Sequence, residues 1–243
     1  MKQVVYAWLV HMFTASGIIP AFFAIVAVSQ QDYLMVFLML MLAHFIDGVD
    51  GTLARRARVT EVLPWMSGKM MDCIIDFSTY AIIPAYAMYM APGFWPDVEG
   101  VKEITIMLVL LVSTLYYGKE GMVSSDYYFV GFPVLWNWVA FYLYYVFIWP
   151  GWANVLLIWI CAILHFVPIK YVYPSRSSHL MPLNLFVFFL LVVGSLGVLL
   201  ISESVLLWDN LLFPCKIAST GALFYFVFLG LYISWTKKED KAE

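Results

Sequence analysis

The sequence predicts an all-α protein, a polytopic membrane bundle of about eight transmembrane helices with both termini cytoplasmic. Three observations carry that expectation. The chain of 243 residues is 64% hydrophobic and only 12% Asp, Glu, Lys or Arg, whereas a soluble domain is about 45–50% apolar and about 25% charged. Apolar stretches close to the ~20 residues that a bilayer core demands recur along the whole chain. The basic residues then sort onto one side of those stretches. So much apolar surface does not fit inside a soluble core of this size. Too little polar surface remains for a disordered chain or a soluble nucleic-acid binder, and no nucleic-acid partner is expected.

The spans are expected, in order, at roughly 8–29, 32–55, 70–91, 102–118, 132–148, 151–173, 183–202 and 217–235. The first runs directly into the rest of the pattern and lacks the small-residue cleavage site of a secretory leader. The second and third are apolar but carry aspartates. The fourth is short. Pro150-Gly151 is the clear break between the fifth and sixth. The connections at 92–100 and 203–216 are too short to hold a domain, so residues 1–243 read as a single membrane domain with a solvated polar tail from Thr236.

Charge placement tests the span count. With eight spans, one side receives Lys2, Arg55, Arg56, Arg58, Lys69, Lys119, Lys170, Arg176, Lys237, Lys238 and Lys241, and the other only Lys102 and Lys216. The basic side should be cytoplasmic. Seven spans would scramble the division. Cys73, Cys161 and Cys215 are odd in number, far apart and set among apolar residues, which reads as free, packed thiols.

The chemistry is concentrated in Asp47-Gly48-Val49-Asp50-Gly51-Thr52-Leu53-Ala54-Arg55 and Ser67-Gly68-Lys69-Met70-Met71-Asp72-Cys73-Ile74-Ile75-Asp76. Asp47 and Asp50 are spaced i,i+3, and Asp72 and Asp76 i,i+4, so each pair shares a helical face. Two helices joined by a short loop can bring the faces together. Four clustered carboxylates repel one another, and a divalent cation that favours hard oxygen ligands, Mg2+ or Mn2+, relieves the repulsion. Each aspartate alone could be a solvated helix-end residue. Four at matched spacing inside apolar segments point to function. Gly48, Gly51, Ala54 and Gly68 suit close helix packing and equally the approach of a bulky polar ligand to the backbone.

This pattern resembles the signature of the CDP-alcohol phosphatidyltransferase family: Asp-Gly, two residues, Ala-Arg, a spacer, Gly, three residues, Asp, three residues, Asp. Asp50, Gly51, Ala54, Arg55, Gly68, Asp72 and Asp76 match, with Asp47 three residues ahead. The spacer Arg56–Ser67 is longer than is usual in the family. That spacer, together with Thr14-Ala15-Ser16-Gly17, Trp65-Met66-Ser67-Gly68, Asp76-Phe77-Ser78-Thr79-Tyr80, Gly131-Phe132-Pro133, Trp136-Asn137 and Tyr171-Val172-Tyr173-Pro174-Ser175-Arg176, is similar to the bacterial branch that joins CDP-diacylglycerol directly to choline.

The resemblance implies a fold and a chemistry. It implies a phosphatidyl transfer with release of CMP in the bacterial cytoplasmic (inner) membrane, with the active site on the cytoplasmic face, and it leaves room for a homodimer. Asp47, Asp50, Asp72 and Asp76 would be metal ligands, with Asp76 also the base that receives the choline hydroxyl proton. Gly51, Ala54 and Gly68 would line the nucleotide pocket, and Arg55, Lys69 and Arg176 would meet phosphates of CDP-diacylglycerol. Arg55, Arg56 and Arg58 are equally the basic boundary residues expected of any cytoplasmic helix end.

Choline carries no N–H donor and is recognised by aromatic faces and negative charge. Tyr80, Tyr117, Glu120, Trp136 and Asn137 are candidates for its site, against the alternative that interfacial Tyr and Trp simply form a membrane belt. His44, three residues before Asp47, is placed to hydrogen-bond a carboxylate. His11 and His165 read as internal hydrogen-bonding residues and His179 as a polar loop residue. Rival functions are a sister enzyme using serine or inositol, which would need a basic or hydrogen-bonding acceptor pocket, and a cation transporter. The transporter would more typically show inverted repeats or paired broken helices.

Overall fold

A computed structural model describes residues 2–174, 176–177 and 180–239. Its regular structure is helical except for one short two-stranded ribbon. Among the described residues, five helical segments are long and apolar enough to cross a membrane: Lys2–Ser29, Tyr33–Ala57, Gly68–Met90, Met181–Ser202 and Asp209–Thr236. Large apolar side chains stand on helix exteriors, as with Phe45 at 65% and Phe213 at 72% exposure. That pattern suits helices whose surroundings are lipid. The chain is a multi-pass membrane protein. Ser175, Ser178, His179 and residues 240–243 lie outside the described residues.

The chain forms two compact units. The first comprises Met1–Pro92 and Leu135–Ala140. Helices α1 (Lys2–Ser16) and α2 (Ile18–Ser29) divide the first expected span at Gly17. A Cβ there would lie 3.1 Å from Ile75 Cγ2, so the glycine permits close helix packing. Asp32 caps α3 (Tyr33–Ala57) by accepting from the Met35 amide at 2.9 Å. At the other end Arg58 takes the left-handed conformation, φ 49°, and Arg55 and Arg56 occupy the last turn, where positive charge complements the helix dipole.

The long spacer then folds into a helical turn, α4 (Val59–Val62). Val59 and Leu63 pack with Ala7, Val10 and Ala57 in one buried cluster. Thus the extra residues of the spacer serve to seat α1 beside the end of α3.

Ser67 caps α5 (Gly68–Asp76), its hydroxyl accepting from the Met70 amide at 3.2 Å. A π-helical turn follows over Phe77–Ile82, and then α6 (Ile83–Met90). Pro84 explains the register change. It has no N–H to donate and its ring crowds the carbonyl four residues earlier. Ser78 and Thr79 turn their hydroxyls back onto the carbonyls of Ile74 and Ile75, at 2.8 and 3.0 Å, which takes up acceptors where the ladder loosens. Within this unit α1 packs on α3 and α5, and α2 on α3 and α6.

The second unit comprises Gly93–Val134 and Phe141–Glu243. Helix α7 (Val101–Tyr117) packs on α9 (Gly151–Leu164), tied by Trp159 donating to Thr105 Oγ1 at 3.1 Å. The preceding α8 (Trp136–Phe141) runs into a second π turn, Tyr142–Phe147. The expected 132–148 span is therefore helical only from Trp136, after Pro133. The expected 151–173 span is helical only to Leu164, because Pro168 disfavours helical geometry just before it. The chain instead forms strand β2 (Lys170–Val172), antiparallel to β1 (Tyr128–Val130) with Phe129 opposite Tyr171. Finally α10 (Met181–Ser202) packs against α11 (Asp209–Glu239). Gly194 and Gly197 let the Cys215–Ser219 turn approach so closely that a Cβ at Gly197 would sit 2.6 Å from Cys215 Sγ.

Candidate active site

The site is built in the first unit by the C-terminal half of α3 and the whole of α5. A 25-residue helix extends roughly 37 Å at ~1.5 Å per residue, and Asp47 and Asp50 lie in its C-terminal half. One ligand atom from each of Asp47, Asp50 and Asp72 falls within 4.8 Å of the others. Asp50 is buried, and Asp47 and Asp72 are half-buried. The carboxyl groups of Asp47 and Asp72 face each other at hydrogen-bonding range, an arrangement two bare anions resist. Asp76 stands outside the triad but within electrostatic reach of all three. Its Oδ1 is buried and has no hydrogen-bond partner among the described residues.

These features fit a hard divalent cation. Three convergent carboxylates supply oxygen ligands and negative charge, and the unpartnered buried oxygen of Asp76 is a further acceptor. The helical spacing predicted this meeting, and the structure brings the three together. No geometry assigns Asp76 to the same set of ligand atoms.

The space around the carboxylates is lined by backbone. A Cβ on Gly48 would meet nothing within 4 Å, and one on Gly51 only the Arg55 guanidinium at 3.3 Å. Arg55 itself is exposed and donates to Thr52 Oγ1 at 2.9 Å. Gly68, at the start of α5, lies against α1: a Cβ there would be 3.2 Å from His11 Cε1. Lys69 is exposed beside it.

Three neighbours were not assigned to the site by the sequence reading, or were assigned differently. Thr14 turns its side chain to the Asp50 carboxyl. His11, one turn earlier on α1, is buried with its Nε2 unpartnered among the described residues. Their i,i+3 spacing is a polar row on an otherwise apolar span, and that was the available signal. His44 reaches the aspartates through a tyrosine: its Nδ1 is 2.6 Å from the Tyr80 hydroxyl, which donates to Asp47 Oδ2 at 2.6 Å.

The other sequence-predicted residues divide between the units. Tyr80, Trp136 and Asn137 belong to the first. Tyr80 and Trp136 are buried, and the buried Asn137 Oδ1 has no partner among the described residues. Tyr117, Glu120 and Arg176 belong to the second. There Tyr117 is half-buried and Glu120 exposed. The Arg176 guanidinium lies over the rings of Tyr173 and Tyr127, at 5.3 and 5.8 Å, a cation already held on aromatic faces.

Comparison with known proteins agrees with this geometry. A family model described as CDP-alcohol phosphatidyltransferase matches residues 6–167. A phosphatidylcholine synthase of Mesorhizobium japonicum is 41% identical over 180 residues, covering 74% of this chain and 65% of the relative, just under two thirds of its length. The phosphatidylcholine synthase of Brucella melitensis is 38% identical over 91% of this chain and 77% of its own. That of Rhizobium johnstonii is 36% identical over 93% and 92%.

Proposed function

The chain belongs to the CDP-alcohol phosphatidyltransferase family, and we propose that it transfers the phosphatidyl group of CDP-diacylglycerol to choline, giving phosphatidylcholine and CMP. The observation that carries the choline assignment is the similarity to phosphatidylcholine synthases over as much as 93% of the chain. The converged aspartates support the metal-assisted transfer.

In this reading Asp47, Asp50 and Asp72 would hold Mg2+ or Mn2+, and the Asp76 carboxylate would stand beside them as a further ligand. When bound, such an ion would neutralise charge on the diphosphate and make CMP a better leaving group. Asp76 accepts the proton of the choline hydroxyl as its oxygen bonds to the phosphatidyl phosphorus, and the bond from that phosphorus to the CMP oxygen breaks. Asp76 is suited to this because a buried oxygen without a donor gains most from receiving one.

Gly51, Ala54 and Gly68 admit the nucleotide by presenting little or no side chain. Arg55, Lys69 and Arg176 are proposed to meet substrate phosphates. Tyr80, Tyr117, Trp136 and Asn137, with Glu120 as counter-charge, are the proposed choline contacts, drawing on the attraction of a quaternary ammonium to aromatic faces. Val101–Tyr117, Trp136–Phe147 and Gly151–Leu164 are proposed to complete eight spans in a bacterial inner membrane, with the site and both termini cytoplasmic. The basic bias of one set of connections supports that orientation. A homodimer is compatible with this arrangement.

The test is CMP release by the purified protein supplied with CDP-diacylglycerol, Mn2+ or Mg2+, and a panel of labelled alcohols. Release with choline alone is expected. Preferential release with serine or inositol would reassign the acceptor, and no release with any alcohol would defeat the enzymatic reading.

A further inference from the structure

We propose that Tyr80 and His44 are positioning residues for Asp47, holding its carboxylate in the orientation that the metal site requires. The inference rests on the reading of Asp47 as a metal ligand. Two short hydrogen bonds form a continuous chain, from His44 Nδ1 to the Tyr80 hydroxyl and from that hydroxyl to Asp47 Oδ2, each 2.6 Å. A phenol has a single proton. If Tyr80 gives it to the carboxylate, the bond to His44 must be donated by Nδ1–H. The direction of the chain is thereby set: histidine donates to tyrosine, and tyrosine donates to aspartate.

The chain acts on orientation. A carboxylate with one oxygen pinned loses the rotation that would let it follow repulsion from Asp72 and turn away. Hydrogen-bonding partners behind a metal ligand commonly fix its geometry and its affinity for the ion. The rest of the unit holds the partners in turn. Tyr80 is 5% exposed and lies in the π turn ahead of Pro84. The His44 ring meets the edge of Tyr80 at 5.5 Å and of Trp138 at 5.7 Å, with interplanar angles of 83° and 86°. Trp138 belongs to Leu135–Ala140, a segment remote in sequence that joins the first unit. This chain therefore couples the packing of that segment to the direction of one carboxylate. It also gives Tyr80 a task distinct from contacting choline: its hydroxyl works on the aspartate.

The experiment is direct titration of the full-length protein in detergent with Mn2+ alone, following loss of the free-ion electron paramagnetic resonance signal. Tyr80→Phe and His44→Leu should each weaken Mn2+ binding by about tenfold, the lower end of the usual range for such partners. His44→Asn, whose side-chain amide can donate from near the Nδ1 position, should bind close to wild type. The double variant Tyr80→Phe/His44→Leu should be no weaker than Tyr80→Phe, because both act through one chain. A purely packing role predicts that His44→Asn is as impaired as His44→Leu, and that result would overturn the proposal. So would wild-type affinity in Tyr80→Phe or, should that variant fail to fold, in His44→Leu. Wild-type binding that Asp50→Asn abolishes separates these outcomes from the metal reading itself. Absence of Mn2+ binding by the wild-type protein would defeat both.

Discussion

Asp76 sits one helical turn beyond Asp72, and its environment differs from that of the triad. Its buried Oδ1 has no donor among the described residues, whereas Asp47 accepts from Tyr80 and Asp50 faces Thr14. Asp76→Asn removes the proton acceptor while preserving shape. Turnover should fall by about a thousandfold, within the usual range for general-base catalysis, with Mn2+ binding by the triad retained. A variant retaining full turnover would refute the assignment. Chelation with EDTA should bring CMP release to background, and added Mn2+ or Mg2+ should restore it. Gly68→Ala probes the wall of the site. The new Cβ would press on His11 Cε1 at 3.2 Å, so the KM for CDP-diacylglycerol should rise. The melting temperature should change little, because alanine favours the helix by about 1 kcal/mol over glycine. An unchanged KM would remove Gly68 from the nucleotide pocket.

At the scale of elements, the decisive features are helix ends and interruptions. Ser67 starts α5 five residues before Asp72 and so sets the phase of both aspartates on that helix. Ser67→Ala should destabilise the protein by about 1 kcal/mol, the typical worth of such a cap, measured by thermal unfolding in detergent. Its effect on Mn2+ affinity should be small, since packing of α5 against α1 and α3 remains. The two aspartate pairs were legible in the sequence because they obey local rules of spacing. The π turn was not, although its cause, Pro84, is in plain view. A proline in an apolar span is accommodated by a break, a kink or a shifted register according to what surrounds it. The ribbon of β1 and β2 was missed for a similar reason. Tyr128–Val130 and Lys170–Val172 become strands only by pairing with each other across a long sequence separation. Pro168 signalled where the helix must stop but not what would follow.

For the whole molecule, the eight-span threading makes a prediction about which side of the bilayer each connection faces. Among the described residues five segments satisfy length and hydropathy, and α7, α8 with its π turn, and α9 are shorter. In a cysteine-free background, Arg56→Cys should react with an impermeant thiol reagent only from the cytoplasmic side, and Val98→Cys only from the opposite side. Labelling of both from one side would overturn the eight-span threading. Composition alone determined that this is a membrane protein, because no soluble fold hides so much apolar surface. Helical spacing determined that the aspartates come in two facing pairs, because 3.6 residues per turn is a local property of the backbone. The tertiary structure decided that Asp47, Asp50 and Asp72 meet while Asp76 keeps an unpartnered oxygen. It also decided that Tyr80 turns to Asp47, and that His44 is held by a tryptophan from far along the chain. Those outcomes depend on which helices pack and at what depth. In lipid, that packing is set by close contacts between distant side chains rather than by hydrophobicity, which every span shares.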